Sequence, residues 1–221
     1  IQIKLRDSVG AARSYNNMGY IFRRRRDTRH ALEVYSNVEK LLESEDNPEL
    51  CDARIRMAAA YLEMGELDRA REHALRAFED TENGETDISH ARSMAVLGRY
   101  YARVKENELA MQYYSAALDI LSDQTDPHSA VEVSMLLGQV LNDAGRKEEA
   151  SEQYIDALVL AEANDFRMLQ GEVLARLGEI ESDRSQKMDY LQRSLSVFRE
   201  LGAVDRMREV QNSVHRAVMG N

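Results

Sequence analysis

A small residue returns at nearly fixed spacing along this chain, at Gly19, Ala58, Gly98, Gly138 and Gly178, with intervals of 39, 40, 40 and 40 residues. A period of this length is the signature of a stacked repeat array, in which each unit buries its apolar face only against its neighbours. The residues around the small one repeat as well. A large apolar residue precedes it every time: Met18, Met57, Leu97, Leu137 and Leu177. Three positions later come Phe22, Tyr61, Tyr101 and Leu141, with Glu181 as the exception. Twelve positions later stand Ala31, Ala70, Ala110 and Ala150, followed at +16 by Tyr35, Ala74, Tyr114 and Tyr154. Spacings of 3, 4 and 7 put each set on one helical face. Glycine inside a helix costs up to about 1 kcal/mol relative to alanine. Its recurrence at one phase therefore implies a second helix crossing closely at that point.

The boundaries follow from turn and cap chemistry. Asn47-Pro48 and Asp126-Pro127 read as an N-cap followed by proline at the first helical position, and Asp87 and Asp165 fall at the equivalent place. Gly65 and Gly145 mark the short turns inside units. The predicted helices are 8–24 and 28–44, 48–64 and 67–81, 88–104 and 107–122, 127–144 and 147–163, and 166–182 and 186–201. A last helix over 204–218 closes the apolar end. Val210, Val214 and Val218 are expected to pack there against Leu195 or Phe198. The expectation is one repeat domain over 1–221, with units 8–44, 48–81, 88–122, 127–163 and 166–201 and a cap at 204–218.

Charge and composition narrow the function. The chain is all-α in character, with two prolines and no tryptophan. Its net charge is −10, of which residues 1–110 contribute −2 and residues 111–221 contribute −8. An acidic chain repels phosphate backbones, so no nucleic acid is expected as the main partner. No apolar run approaches a membrane span, and Cys51, the one cysteine, precludes an internal disulfide; both fit a cytoplasmic protein. The chain lacks an initiator methionine, which suggests a piece of something larger. The five histidines carry no i, i+4 pair, no phosphate loop or nucleophile elbow occurs, and neither metal nor cofactor is expected. Met18, Met57, Met94 and Met135 read as packing residues, with Met135 a second candidate for an apolar contact. Arg23-Arg24-Arg25-Arg26 reads first as an exposed helix end, where cations suit the dipole, second as a docking patch for an acidic partner or a neighbouring domain, and third as a targeting signal or phosphate contact.

Leu97, Gly98 and Tyr101, followed by Ala110, Tyr114 and Ala117, resemble the tetratricopeptide repeat consensus. The likeness runs through five units and a cap. The period is longer than that family's usual 34 residues, as in its variants with extended helices. Unit five departs most: Ser194 and Leu195 match Ala157 and Leu158 only if about three residues are missing near 183–186. The resemblance implies a right-handed superhelix whose first helices line a concave groove, a protein or peptide partner, and no catalysis. It names groove positions at −6, −3, +1, +4 and +5 from the small residue. Arg13, Asn16 and Tyr20 occupy these positions in unit one, Arg92, Arg99 and Arg103 in unit three, and Gln139 and Asn142 in unit four. The arginine-rich units suit an acidic segment, and the carboxylates of units four and five suit a basic one. The same charges could instead pair across neighbouring helices. The chaperone-tail clamp known in this family is not expected, because only Arg92 fits its pattern. The alternative function is a sensor or regulatory module of a larger signalling or transcription-regulating protein, binding an effector or an adjacent domain.

Overall fold

The structure is a computed structural model that describes residues 2–42, 47–82, 88–123 and 126–219. Eleven helices account for nearly all of these residues, and no strand occurs among them. They are α1 (Gln2–Arg24), α2 (Thr28–Leu41), α3 (Pro48–Met64), α4 (Leu67–Glu79), α5 (Ile88–Arg103), α6 (Asn107–Asp123), α7 (Pro127–Asp143), α8 (Lys147–Ala163), α9 (Arg167–Ile180), α10 (Arg184–Glu200) and α11 (Val204–Met219). They form two compact bodies, one running to Ile120 and one from Leu121 onward.

Each helix pair is built around the periodic small residue. A Cβ placed on Gly98 would lie 2.6 Å from Tyr114 Cε1, and one on Gly138 would lie 2.7 Å from Tyr154 Cε1. Gly19 is closer still to Tyr35. Real Cβ atoms do not tolerate such approaches, so the glycine lets an aromatic ring lie flat on the backbone of the first helix. Tyr35, Tyr114 and Tyr154 are among the largest fully buried side chains. Burial raises the phenol pKa in all three, to about 12 at Tyr154. Unit two is the exception that fits the rule. Ala58 replaces the glycine and Ala74 replaces the tyrosine, and both are fully buried in one cluster with Leu97 and Val96.

Caps fix where the helices begin. Asn47 Oδ1 accepts the Glu49 N–H at 2.9 Å with Pro48 at the first position, and Asp126 Oδ1 accepts the Ser129 N–H at 3.2 Å with Pro127 behind it. The turn inside each of the first four units carries one left-handed residue, seven positions after the small residue: Arg26, Gly65, Lys105 and Gly145. Glycine adopts that conformation freely; at Arg26 and Lys105 it costs roughly 1 kcal/mol each.

Four expectations need correction. Asp165 does not cap α9. Its own φ is +55°, and Phe166 stands at the cap position without a side-chain bond. The cap expected at Asp87 is not one of the four, since Asp87 lies outside the described residues. Met18 is 44% exposed, whereas its counterpart Met57 is buried beside Ala31 and Tyr35 of the helix before it. Val210 is buried with Leu191 and Phe198 and Val214 packs at the edge of that cluster, but Val218 is 51% exposed at the frayed end of α11. The shortening of unit five falls in the last turn of α9, which stops two residues past Gly178, whereas α7 runs five past Gly138. Leu191 consequently takes the tyrosine position, its Cδ2 2.7 Å from a Cβ built on Gly178.

The first body also buries an ion network. Arg54 Nη1 lies 2.5 Å from Asp80 and its Nε 3.4 Å from Glu39. His73 stacks on Tyr61, and its Nδ1 makes no hydrogen bond and lies 3.8 Å from Glu39. Burial lowers the His73 pKa below the ordinary 6.5, Glu39 and Glu72 oppose the shift, and Arg76 and Arg54 reinforce it. The fold thus favours the neutral ring. The stability this contributes is present above pH 6.5 and is lost as pH falls through the lowered folded value. Urea midpoints measured from pH 7.5 to 5 will fall more steeply for the parent than for His73→Gln. Glycine substitutions give a second check by thermal or urea unfolding. Gly98→Ala destabilises by about 1–3 kcal/mol through overpacking against Tyr114. Gly10→Ala, in α1 with open space around it, stabilises by about 0.4–1 kcal/mol.

Candidate functional site

The first helices of successive pairs touch one another: α1 packs on α3 and α3 on α5 in the first body, and α7 packs on α9 in the second. Their shared face carries most of the residues singled out from the repeat phase.

In the first body this face is ordered by ion pairs that cross from α1 to α3. Arg13 Nε donates to Glu49 Oε1 at 2.7 Å, and Arg23 Nε lies 3.3 Å from Glu63 Oε1. Asn16 is 2% exposed. Its amide donates to the Glu49 carbonyl at 2.8 Å and to Glu49 Oε2 at 3.3 Å, while its own Oδ1 finds no partner among the described residues. Asn16 therefore holds Glu49 in place for Arg13 and does not itself face solvent. Tyr20 is exposed, and the Arg56 guanidinium sits 5.5 Å from its ring centroid. Arg56 Nε donates to Asp52 Oδ2 at 2.6 Å. Burial acts to lower the Arg56 pKa, but the bond to Asp52 and its charge outweigh that and raise it. Between α3 and α5 the contact is apolar: Ala59 and Leu62, two further groove-phase positions, are buried with Val96 and Leu97. On α5 itself Arg92 and Arg103 are exposed and Arg99 is half-buried, close enough to Tyr114 to offset part of the rise in its hydroxyl pKa.

In the second body the same face is acidic. Gln139 Nε2 donates to Asp143 Oδ1 at 2.8 Å, and Asn142 is half-buried at the end of α7. A cavity of about 120 Å³ opens between the first helices and α11, lined by Met135, Glu172, Ala175, Glu179, Arg206 and Ser213 among others. Arg206 bridges Glu172 at 2.8 Å and Glu209 at 2.9 Å, and Arg176 pairs with Glu179 at 3.1 Å. Met135, Glu172, Ala175 and Glu179 sit at groove-phase positions; Arg206 and Ser213 come from α11. The repeat phase names no groove position on α11, which was read as the closing helix, so neither residue was singled out. Arg56 was missed because it lies one residue off the sampled phase.

Several of the opposite charges within each body thus pair with one another, and α5 contributes Arg92, Arg99 and Arg103. Among the described residues there is no cluster of three metal-ligating side chains, and no helix is long and apolar enough to cross a membrane.

Residues 49–123, spanning α3 to α6, match the tetratricopeptide repeat family model. No curated protein matches the chain in sequence. Solved structures match it in fold. One is a signal transduction ATPase with numerous domains, carrying a tetratricopeptide repeat sensor, from Pyrococcus horikoshii (TM-score 0.77, 17% identity, 93% of this chain and 32% of that one). Another is aspartyl phosphate phosphatase F from Bacillus subtilis (TM-score 0.78, 14% identity, 99% and 60%). A third is a Rap protein complexed with Competence and Sporulation Factor (TM-score 0.80, 16% identity, 89% and 56%). The chain spans about a third of the first of these and a little over half of the other two.

Asn16 gives the sharpest local test. Asn16→Ala removes a buried bond to Glu49 and will lower stability by about 1–2 kcal/mol in urea unfolding. Asn16→Gln will recover little of it, because the longer amide does not fit the site. Residues 49–123 thus match the tetratricopeptide repeat family model, and the eleven helices of the described residues share the fold of these helical-repeat structures.

Proposed function

We propose that this array is a protein-interaction module that binds an acidic peptide or protein segment along its first-helix face and carries no catalysis of its own. The observation behind this reading is the set of three arginines on α5, Arg92, Arg99 and Arg103, at spacings of 7 and 4 that hold them near one face of a single helix. An arginine fork binds a carboxylate through two parallel charge-assisted bonds, a geometry that lysine does not offer. Arg13 and Tyr20 extend the site on α1, Arg13 as a mobile cation tethered at Glu49 and Tyr20 as an amphipathic surface. Asn16 acts through Glu49. Gln139 and Asn142, at the same repeat phase on α7, are a separate candidate contact within the second body, with amides that suit a peptide backbone.

A second reading is favoured by one finding. The Pyrococcus horikoshii protein carries its repeats as a sensor, and the Rap protein was solved with a factor bound. By analogy of fold, this chain would report an effector or an adjacent domain within a regulatory protein, using the same face.

The test uses fluorescence anisotropy with a panel of labelled ten-residue peptides rich in Asp and Glu, beside uncharged and basic controls. The reading predicts that acidic peptides bind in preference and more weakly as salt rises. Arg92→Glu/Arg99→Glu/Arg103→Glu, shown by circular dichroism to be folded, should lose at least about tenfold in affinity, since each charge-assisted bond contributes roughly 1.5–3 kcal/mol. Equal binding by parent and triple variant, or no preference for acidic peptides, contradicts it.

A further inference from the structure

Two helix faces on the outside of this molecule break the usual rule that an exposed face is polar. On α8, Val159 is 62% exposed and Ile155 43%, one turn apart. Around them lie Glu148, Glu152 and Asp156, all exposed and spaced four residues apart along the same side. Like charges at that spacing repel. Neighbouring charges on this body relieve such repulsion by pairing, as Arg146 does with Glu149 and Arg193 with Glu162. Glu148, Glu152 and Asp156 form no ion pair among the described residues. On α1, Ile21 is 50% exposed and Met18 44%, three residues apart, with Arg24 and Arg25 exposed directly beyond them. Arg24 and Arg25 likewise have no ion-pair partner among the described residues. One face is apolar and acidic, the other apolar and basic.

We propose that α1 of one copy of this chain docks antiparallel on the outer face of α8 of a second copy. The register follows from the spacings. With Met18 against Val159 and Ile21 against Ile155, Arg24 at the end of α1 and Arg25 just past it come opposite Glu152. The offsets agree: Arg24 and Arg25 lie three and four residues after Ile21, and Glu152 lies three before Ile155, so both displacements are about 5 Å along the helix. In the other direction Ser14 meets Ala163, four residues from Met18 and Val159 respectively. Both are small and exposed, and Gly10 lies one turn further along α1, so the backbones can approach closely. The antiparallel alignment also sets the negative end of the α1 dipole beside the positive end of α8.

The two faces differ, so the contact is heterologous. Each copy that docks by its α1 leaves its own α8 open to another, and the assembly grows with concentration instead of closing as a dimer. Two apolar residues and a few charges per side make a small interface, and association belongs in the weak range. Its strength depends on ionic strength because the charges sit at the rim.

Sedimentation equilibrium of the full chain tests this. At about 50 mM salt, where surface charges are weakly screened, the weight-average mass is expected to rise past that of a dimer between about 10 and 500 µM and to fall back toward the monomer at about 500 mM salt. Arg24→Glu/Arg25→Glu and, separately, Glu148→Lys/Glu152→Lys/Asp156→Lys should each associate at least about tenfold more weakly than the parent. The first variant offers an intact α8 and an acidic α1, the second an intact α1 and a basic α8. Mixed together, they pair in both combinations, and association should return. A parent that stays monomeric over the whole range overturns the proposal. So does association that both variants retain, or a mixture that stays monomeric.

Discussion

The fold depends on how closely the two helices of a pair approach, and in three pairs a tyrosine ring lies against the bare backbone of the preceding helix. Gly19 with Tyr35, Gly98 with Tyr114 and Gly138 with Tyr154 repeat one contact, each so close that a methyl group would overlap the ring. The contact sets the distance and crossing point of a helix pair, and the pair in turn sets which side of its first helix is left for the next unit or for solvent. Unit two reaches similar packing by a different division of volume, alanine on both helices, and unit five by Leu191 over Gly178 together with Phe198 over Gly171. The small residue and its partner thus change together within a single chain. The constraint is on shared volume and not on glycine as such.

Period and caps were legible in the sequence because both are local. The Asn47-Pro48 and Asp126-Pro127 starts, the turns at Gly65 and Gly145, and most helix ends lie within a few residues of where spacing alone put them. What escaped was set by neighbours. Asp165 has the chemistry of a cap, yet the chain passes through it in a left-handed turn. Met18 keeps the core phase of the other methionines, but no described helix covers it as α2 covers Met57. The missing residues of unit five were read as a gap near the loop. The structure takes them from the last turn of α9, where a helix can shorten without disturbing the contact at Gly178.

The candidate surface was less legible than the fold. Phase says which side chains share a face; it does not say which of them are already engaged. Asn16 shares that phase with Arg13 and Tyr20, but the approach of α3 buries it and commits its amide to Glu49. The acidic cast of units four and five was plain from composition, whereas its answer, Arg206 reaching in from α11, depended on where the last helix folds back. The result is a face already half-neutralised by its own pairs. A ligand for it must compete with those pairs, and so charge geometry, more than net charge, decides what it can hold.

The most direct test of the volume constraint is a double-mutant cycle at Gly138 and Tyr154, followed by urea unfolding. Gly138→Ala in the parent overlaps the ring; in a Tyr154→Ala background it recreates the alanine pair that unit two uses at Ala58 and Ala74. The account predicts strong non-additivity, with Gly138→Ala costing at least about 1 kcal/mol in the parent and nothing, or a small gain, once the ring is gone. Effects that add to within about 0.5 kcal/mol would contradict it, because the glycine and the tyrosine would then be acting independently.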